Sequence, residues 1–330
     1  MTLVMVADPL EMFQPYAQER AAIEAAGAEF RLGDGSFAAI RDADVVLTTW
    51  TLRFPAHELQ KLHRCRMVAR YGVGVDNIDL AAATELGIVV ANAPTYCVGE
   101  VADHTVGLIL TLTRGLAWLD REVRAGRWMA VHKDDPRVPR LSLMTIGLVG
   151  LGKIGRRVAQ RLAGFGCRIL AYDPYLSDAE IRERGALPVA SLTELLQAAD
   201  LVSLHVPLTD ETRRMINRTT LAQLRPGAMV VNTSRGGVID EQALVEALQR
   251  DHLFGVALDV LDPEPIRADH PLLAMDPRRV ILTPHFGAWC RASTPDLQTE
   301  IANAVTALLS GRLPPSTMNP AVQPRFGLIR

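Results

Sequence analysis

The segment TIGLVGLGKIG, residues 145–155, decides the fold. An apolar run ends in Gly150-Leu-Gly152-Lys-Ile-Gly155, and the residues beyond it, Lys153–Gly164, carry a helical apolar pattern. Glycine-rich turns are common, so the value of G-x-G-x-x-G lies in this strand-to-helix context. Gly150 permits the tight turn, Gly152 lets backbone approach a pyrophosphate, and Gly155 allows close packing of helix on strand. The helix start then offers N–H donors and the positive dipole end to phosphates. The next apolar run, Arg168–Tyr172, ends at Asp173. A carboxylate there can accept hydrogen bonds from both adenosine ribose hydroxyls and repels a 2′-phosphate. The chain continues Pro174-Tyr175 rather than with arginine, which favours NAD over NADP.

Outward from this segment, short apolar runs alternate with amphipathic stretches, and the alternation runs twice. Before it stand strands at Leu3–Asp8, Val45–Thr49, Met67–Tyr71 and Ile88–Ala91, with helices at Ala17–Ala26, Pro55–Leu62 and Leu80–Leu86. A long helix is expected from Glu100 to near Gly126, followed by a linker over Trp128–Arg140. After it, DLVSLHV, AMVVNTS, GVALDV and VILTPH read as strands, Glu241–Gln249 and Thr294–Leu309 as helices, and the proline-rich end as extended. Continuously apolar strands between helices indicate parallel sheets covered on both faces. The fold class is α/β, with two doubly wound parallel-sheet (Rossmann-like) domains.

The 330 residues suffice for two domains, and 48% hydrophobic with 22% charged residues is the composition of an ordinary globule. A formal charge of −2 leaves no basic footprint for nucleic acid or an anionic membrane, so a small partner is expected. No apolar stretch is long enough for a membrane span. Cys65, Cys97, Cys167 and Cys290 are dispersed and no His/Cys/Asp cluster has ligand spacing, so no metal is expected. With no signal-like start, the reading is cytoplasmic.

Ligands of open α/β sheets lie outside the carboxyl ends of the strands. Arg235 follows one strand in NTSRGG, Glu264 follows another in ALDVLDPEP, and His285 ends a third in TPHFGAW. Each alone has a structural explanation; together they suit hydride transfer at a hydroxy-acid carbon. His285 would exchange the hydroxyl proton, and Arg235 would hold carboxylate and carbonyl in a planar, bidentate way. A carboxylate such as Glu264 beside the histidine favours imidazolium and fixes its tautomer.

These motifs, GLVGLGKIG, AYDPY, NTSRGG, DVLDPEP and TPH, resemble in order the D-isomer-specific 2-hydroxyacid dehydrogenase family. RYGVGVDNIDL and NAPTYCVGEVADHT resemble its substrate-domain patterns, so the likeness covers nearly the whole chain. It implies a discontinuous substrate-binding domain, residues 1–98 plus 290–330, and an NAD-binding domain, residues 99–289. It further implies an active site in the cleft between them and a homodimer in which the long helix takes part. By motif, Arg235, Glu264 and His285 would be catalytic. Thr105, Gly150, Gly152, Lys153, Ile154, Gly155, Asp173, His205, Val206, Pro207, Thr233, Ser234, Arg235, Asp259 and His285 would line NAD. Tyr71, Gly72, Val73 and Gly74 would offer backbone amides to the substrate carboxylate.

VADHT and the tryptophan after the histidine are most similar to the C-terminal-binding-protein-like branch. Trp289, however, stands one residue further from His285 than in the corepressors of that branch. It either lines the substrate pocket or packs against the C-terminal helix. Arg53, in the loop Trp50–Arg53, either serves a second anionic group or is solvated. The expected activity is NAD-dependent interconversion of a D-2-hydroxy acid and its 2-oxo acid. The alternatives are oxidation of phosphite or another small acid on the same fold, or a non-catalytic NAD(H)-sensing protein.

Overall fold

The structure, a computed structural model, describes residues 1–128 and 139–325. It divides into two compact units, Met1–Cys97 with Trp289–Arg330, and Val98–Ala288. The chain changes unit one residue earlier at each crossing than the sequence suggests, which assigns Trp289 to the first.

The first unit is built on strands β1 (Leu3–Val6), β2 (Glu29–Leu32), β3 (Val45–Thr48), β4 (Met67–Arg70) and β5 (Val89–Ala91), all parallel, in the order β2-β1-β3-β4-β5. Side chains alternate across it as strand geometry requires. Val4, Val6, Val45, Leu47, Met67 and Ala69 enter one core, while Met5, Val46, Val68 and Val90 enter the other. The first face is closed by the helix Ser293–Leu309, whose Leu297, Ile301, Val305 and Leu308 share a stripe and are at most 1% exposed. Each such burial is worth about 1.5–3 kcal/mol, which explains why the returning segment stays with this sheet. Beyond it, Met318 N–H donates to Val90 O and the Asn319 side chain accepts from Val90 N–H at 2.8 Å, tying the extended end to β5.

The second unit holds β6 (Thr145–Val149), β7 (Arg168–Tyr172), β8 (Leu187–Pro188), β9 (Leu201–Leu204), β10 (Ala228–Asn232), β11 (Leu253–Leu258) and β12 (Val280–Leu282). Their order is β12-β11-β10-β9-β6-β7-β8, parallel throughout. This is the dinucleotide-fold order, with its reversal between β6 and β9.

Two readings need correction. The helix expected from Glu100 to Gly126 is two, Val98–Arg114 and Leu116–Arg124, broken at Gly115 with φ +64°. Glycine adopts that left-handed conformation without a Cβ clash, and the apolar pattern continues across the break, which hides it. Strands β2 and β8 were not expected. Both lie at sheet edges, where EFRL and LP show little of the continuous apolar character of central strands. Most of the linker Trp128–Arg140 lies outside the described residues.

Candidate active site

The glycine-rich loop leaves β6 at Gly150, where φ is +85° and a Cβ would sit 2.7 Å from His205 O. A Cβ on Gly155 would lie 2.3 Å from Gly150 O, so helix and turn are packed too closely for any side chain. Gly152 differs: a Cβ there would meet nothing within 4 Å. The protein itself does not require glycine at 152, whereas a phosphate group lying on the loop would. The helix Lys153–Ala163 begins there with no carboxylate in its first turn, and Lys153 is exposed while Ile154 is half-buried. Asp173 spends one oxygen on Leu151 N–H at 2.9 Å and the other on Tyr175 N–H at 3.1 Å. A carboxylate has about four lone-pair positions, so both oxygens keep capacity for ribose hydroxyls. These residues fit a dinucleotide.

His205-Val206-Pro207 follows β9 next to this loop, and His205 N–H donates to Val149 O at 2.8 Å. Burial pushes the His205 imidazole down to about 4, so it is neutral near pH 7, 3.0 Å from Ser203 Oγ. Thr105 is fully buried, and its hydroxyl bonds Thr233 Oγ1 at 2.8 Å, holding the start of the loop after β10.

That loop presents Arg235. Asn232, 0% exposed, accepts from Ser234 N–H (3.0 Å) and Ser234 Oγ (2.8 Å) and donates to Arg235 O (2.9 Å). Arg235 Nη1 donates to Ser234 O at 2.7 Å. A Cβ on Gly236 would lie 2.1 Å from Leu261 C, so this loop presses directly on the Leu261–Glu264 segment.

Glu264 Oε1 accepts from Leu261 N–H at 2.9 Å, and Oε2 lies 2.8 Å from His285 Nδ1. Burial alone would raise the Glu264 carboxyl; the His285 hydrogen bond and charge, Leu261 N–H and the nearby Arg235 charge outweigh it and hold the carboxyl below its usual range. A carboxylate only accepts, so Nδ1 carries the proton and Nε2 is the nitrogen left for a substrate.

His285 itself sits at φ +53°, a conformation that costs a non-glycine residue about 1–3 kcal/mol. Asp259 brackets it. The Asp259 carboxylate, 3% exposed, accepts from Thr283 Oγ1 (2.5 Å), Phe286 N–H (2.8 Å) and Gly287 N–H (2.9 Å), while His285 N–H donates to Asp259 O (2.7 Å). His104 completes the group, with Nε2 3.0 Å from Thr283 Oγ1 and 3.2 Å from Asp259 Oδ1. Burial would push the Asp259 carboxyl up, but the bonds from His104, Thr283 and the two amides hold it far below the usual carboxylate range.

In the first unit, the loop 71–74 is anchored through its carbonyls, Gly72 O accepting from Ala93 N–H at 3.0 Å and Val73 O from Asn92 Nδ2 at 2.6 Å. Tyr71 OH donates to the fully buried Glu19 at 3.0 Å. The Arg70 guanidinium lies over Gly72, where a Cβ would come within 1.6 Å of its Nη1. The half-buried Trp289 packs its ring against Phe13 and the exposed Trp50, at the margin of this unit's core cluster. Arg53 is exposed.

The structure thus brings His285, Glu264 and the Arg235 loop together, and the glycine loop with Asp173 and His205. Sequence reasoning missed Asn232, His104 and Arg70. Of these, only Arg70 had a usable signal, as a cation at a strand end directly before Tyr71-Gly72-Val73-Gly74. Among the described residues, no group of three or more His, Cys, Asp or Glu could hold a metal ion. No described helix is long and apolar enough to cross a membrane.

Comparison with known proteins bears on this arrangement. The profile of "D-isomer specific 2-hydroxyacid dehydrogenase, NAD binding domain" matches residues 106–287. The chain belongs to this family. Its second unit contains the NAD-binding domain. D-3-phosphoglycerate dehydrogenase of Mycobacterium leprae is 36% identical over 96% of this chain and 58% of its own length. The chain spans somewhat over half the length of the phosphoglycerate dehydrogenases that it matches. Among solved structures, the D-lactate dehydrogenase of Aquifex aeolicus with NAD and lactic acid has TM-score 0.82 and 29% identity, covering 94% of this chain and 96% of that one. The glyoxylate/hydroxypyruvate reductase of Sinorhizobium meliloti with NADP and malonate has TM-score 0.85 and 28% identity, covering 98% and 99%. None of these is a corepressor, and the branch suggested by VADHT and Trp289 finds no support in them.

Proposed function

We propose that the chain is an NAD-dependent oxidoreductase interconverting a D-2-hydroxy acid and its 2-oxo acid. The observation that carries this reading is the His285–Glu264 pair, 2.8 Å apart beside the Arg235 loop. The nicotinamide nucleotide, when bound, supplies or accepts the hydride. All else falls to the chain. Arg235 holds the carboxylate and draws electron density from the carbonyl; of the loop 71–74 assigned to the same task by sequence, Tyr71 N–H is already donated to Thr48 O at 2.8 Å, which leaves only the amides of Gly72, Val73 and Gly74 for a substrate. In the reductive direction, protonated His285 gives the Nε2 proton to the developing alkoxide. Glu264 stabilises the imidazolium and keeps Nε2 towards the substrate. In the oxidative direction the neutral imidazole takes the hydroxyl proton back.

Asp173 supports NAD over NADP, because a 2′-phosphate would face its carboxylate. The reading extends, on family resemblance, to a cytoplasmic homodimer.

The test is NADH oxidation against a panel of 2-oxo acids. His285→Ala is expected to lower kcat by roughly 10²–10⁴-fold, the usual contribution of a positioned acid–base group, with NADH affinity nearly intact. Loss of NADH binding with unchanged kcat would remove His285 from the proton-transfer role. A flat panel would favour phosphite oxidation or NAD(H) sensing instead.

A further inference from the structure

The segment that carries Glu264 is tied at both ends by a side chain to which the proposed chemistry assigns no task. Residues 262–270 lie between β11 and the turn Pro271–Ala274 that precedes β12. Glu241, the first residue of the helix Glu241–Gln249, meets both ends of this segment. Its Oε1 accepts from Asp262 N–H at 2.7 Å, and its Oε2 lies 3.1 Å from His270 Nε2. Both side chains are largely covered, Glu241 at 14% and His270 at 16% exposed.

The hydrogen bonds fix which nitrogen of His270 is protonated. Nδ1 accepts from Leu272 N–H at 3.3 Å and so caps the turn Pro271–Ala274. A ring nitrogen that accepts carries no proton, so Nε2 holds the hydrogen of the neutral ring and donates it to Glu241. The carboxylate thus receives a donor at each oxygen, one from either end of the segment. An amide of the same shape would turn an N–H towards one of those two donors. Burial raises the Glu241 carboxyl above its usual range, with Asp262 N–H and His270 acting against it.

The tie adjoins the Glu264–His285 pair. Asp262 N–H, held by Glu241, follows Leu261 N–H, which Glu264 Oε1 accepts at 2.9 Å. Two carboxylates therefore take successive amides, and Glu264 sets its other oxygen 2.8 Å from His285 Nδ1. A Cβ on Gly236, beside Arg235, would lie 2.7 Å from Asp262 N, so the Arg235 loop rests on the amide that Glu241 holds. At 38% exposed, the Glu264 side chain is not fixed by burial, and its position depends on how its segment is anchored. The charged groups facing the tie are Asp262, His270 and, beyond His270, Asp269, which Arg267 engages at 2.8 Å; those facing Glu264 are His285 and Arg235.

We propose that Glu241 and His270 are positioning residues for proton transfer: by joining the two ends of residues 262–270, they hold Glu264 at hydrogen-bonding distance from His285. Both act through Glu264. The inference rests on the His285–Glu264 reading given above. Without the tie, Glu264 moves from His285 and the imidazolium loses its support. Reduction then loses its proton donor at a lower pH than in the unaltered protein.

The experiment measures kcat, KM and the pH profile of NADH-dependent reduction, with the 2-oxo acid that turns over best, in the full chain and in Glu241→Gln, His270→Asn, His270→Gln and Glu264→Gln. Glu241→Gln and His270→Asn are expected to lower kcat about tenfold or more, towards the roughly 10² that a displacement near 1 Å costs, with KM changed less than about threefold. The fall of the rate with rising pH should begin about one pH unit lower, the smaller end of what an opposite charge contributes. Asparagine keeps an acceptor for the turn but cannot reach Glu241. Glutamine reaches Glu241 but gives up the cap, and should retain more of the rate. A lowered Tm with kcat and pH profile unchanged, or an equal loss in the two His270 variants, makes the pair a scaffold and overturns the proposal. NADH fluorescence binding shows that each variant is folded; where Glu241→Gln does not fold, the two His270 variants decide. If Glu264→Gln lowers kcat while the Glu241 and His270 variants do not, the positioning role alone falls. If Glu264→Gln also leaves kcat and profile unaltered, or the unaltered protein reduces no 2-oxo acid, the underlying reading falls with it.

Discussion

Asp8 follows β1 of the first sheet and Asp259 follows β11 of the second, and each is almost fully buried, at 4% and 3% exposed. Each accepts hydrogen bonds from the segment leaving the adjacent strand, β3 in one case and β12 in the other. The donors differ. Asp8 takes three threonine hydroxyls and two amides, while Asp259 takes one hydroxyl and two amides and has the His104 imidazole within 3.2 Å. Hydroxyls rotate to suit their acceptor, so the Asp8 clamp orders a loop without dictating a single residue's backbone. The Asp259 clamp grips the amides directly after His285 and so holds that residue at φ +53°. One carboxylate orders a loop; the other maintains a strained residue to which chemistry is assigned.

If that contrast is right, the largest effect belongs to Asp259. Asp259→Asn keeps the shape but replaces one acceptor oxygen by a donor that faces an N–H. His285 would relax, and a displacement of about 1 Å at a reacting group costs roughly 10² in rate. A kcat loss near that size is expected, measured with whichever 2-oxo acid turns over best; a loss under threefold would break the comparison. Asp8→Asn should act differently. Buried donors left without their acceptor cost about 1–3 kcal/mol of stability, read from denaturant unfolding. The rate with the same 2-oxo acid should stay within about threefold of that of the unaltered protein, because Asp8 touches none of the proposed reacting groups. Equal damage to kcat in both variants would mean that the two clamps do the same job.

How much of this the sequence discloses depends on the range of the signal. The glycine loop is one contiguous segment, and its turn, helix and following Asp173 are all legible because each requirement falls on neighbouring residues. Arg235, Glu264 and His285 are legible as ionisable residues at strand ends. The clamps are not. Asp8 meets partners 40 to 44 positions away, and Asp259 reaches Thr283, Phe286 and Gly287 24 to 28 positions on. Nothing in the local pattern pairs them until strand order is known. The threonines of TTWT are a weak local hint, but threonine is equally at home in strands. Asn232 is hidden for the opposite reason: its partners are adjacent, yet its work is to shape a turn, which asparagine does in many loops. The break at Gly115 and the edge strands β2 and β8 were lost because an apolar pattern reports burial, and neither a one-residue kink nor a half-exposed strand changes it enough.

The smallest expected effect separates the Asp259 clamp from the rest of the second sheet by pH. Asp259 is held far below the usual carboxylate range, so its contribution is complete above the unfolded value near 4 and is lost as pH falls through the folded one. His205 acts in a different window. Its folded value is about 4 against 6.5 when unfolded, so between these the unfolded chain binds the extra proton and stability declines as pH falls. Above 6.5 both states are neutral and the dependence disappears. His205→Gln should therefore flatten the fall in unfolding free energy between pH 6.5 and 4 and leave the steeper acid limb unchanged. Asp259→Asn should do the reverse, flattening the limb below pH 4 alone. A His205 variant that flattened both limbs would show that the two groups titrate as one network, and the Asp259 clamp could then no longer be treated as a local device around His285.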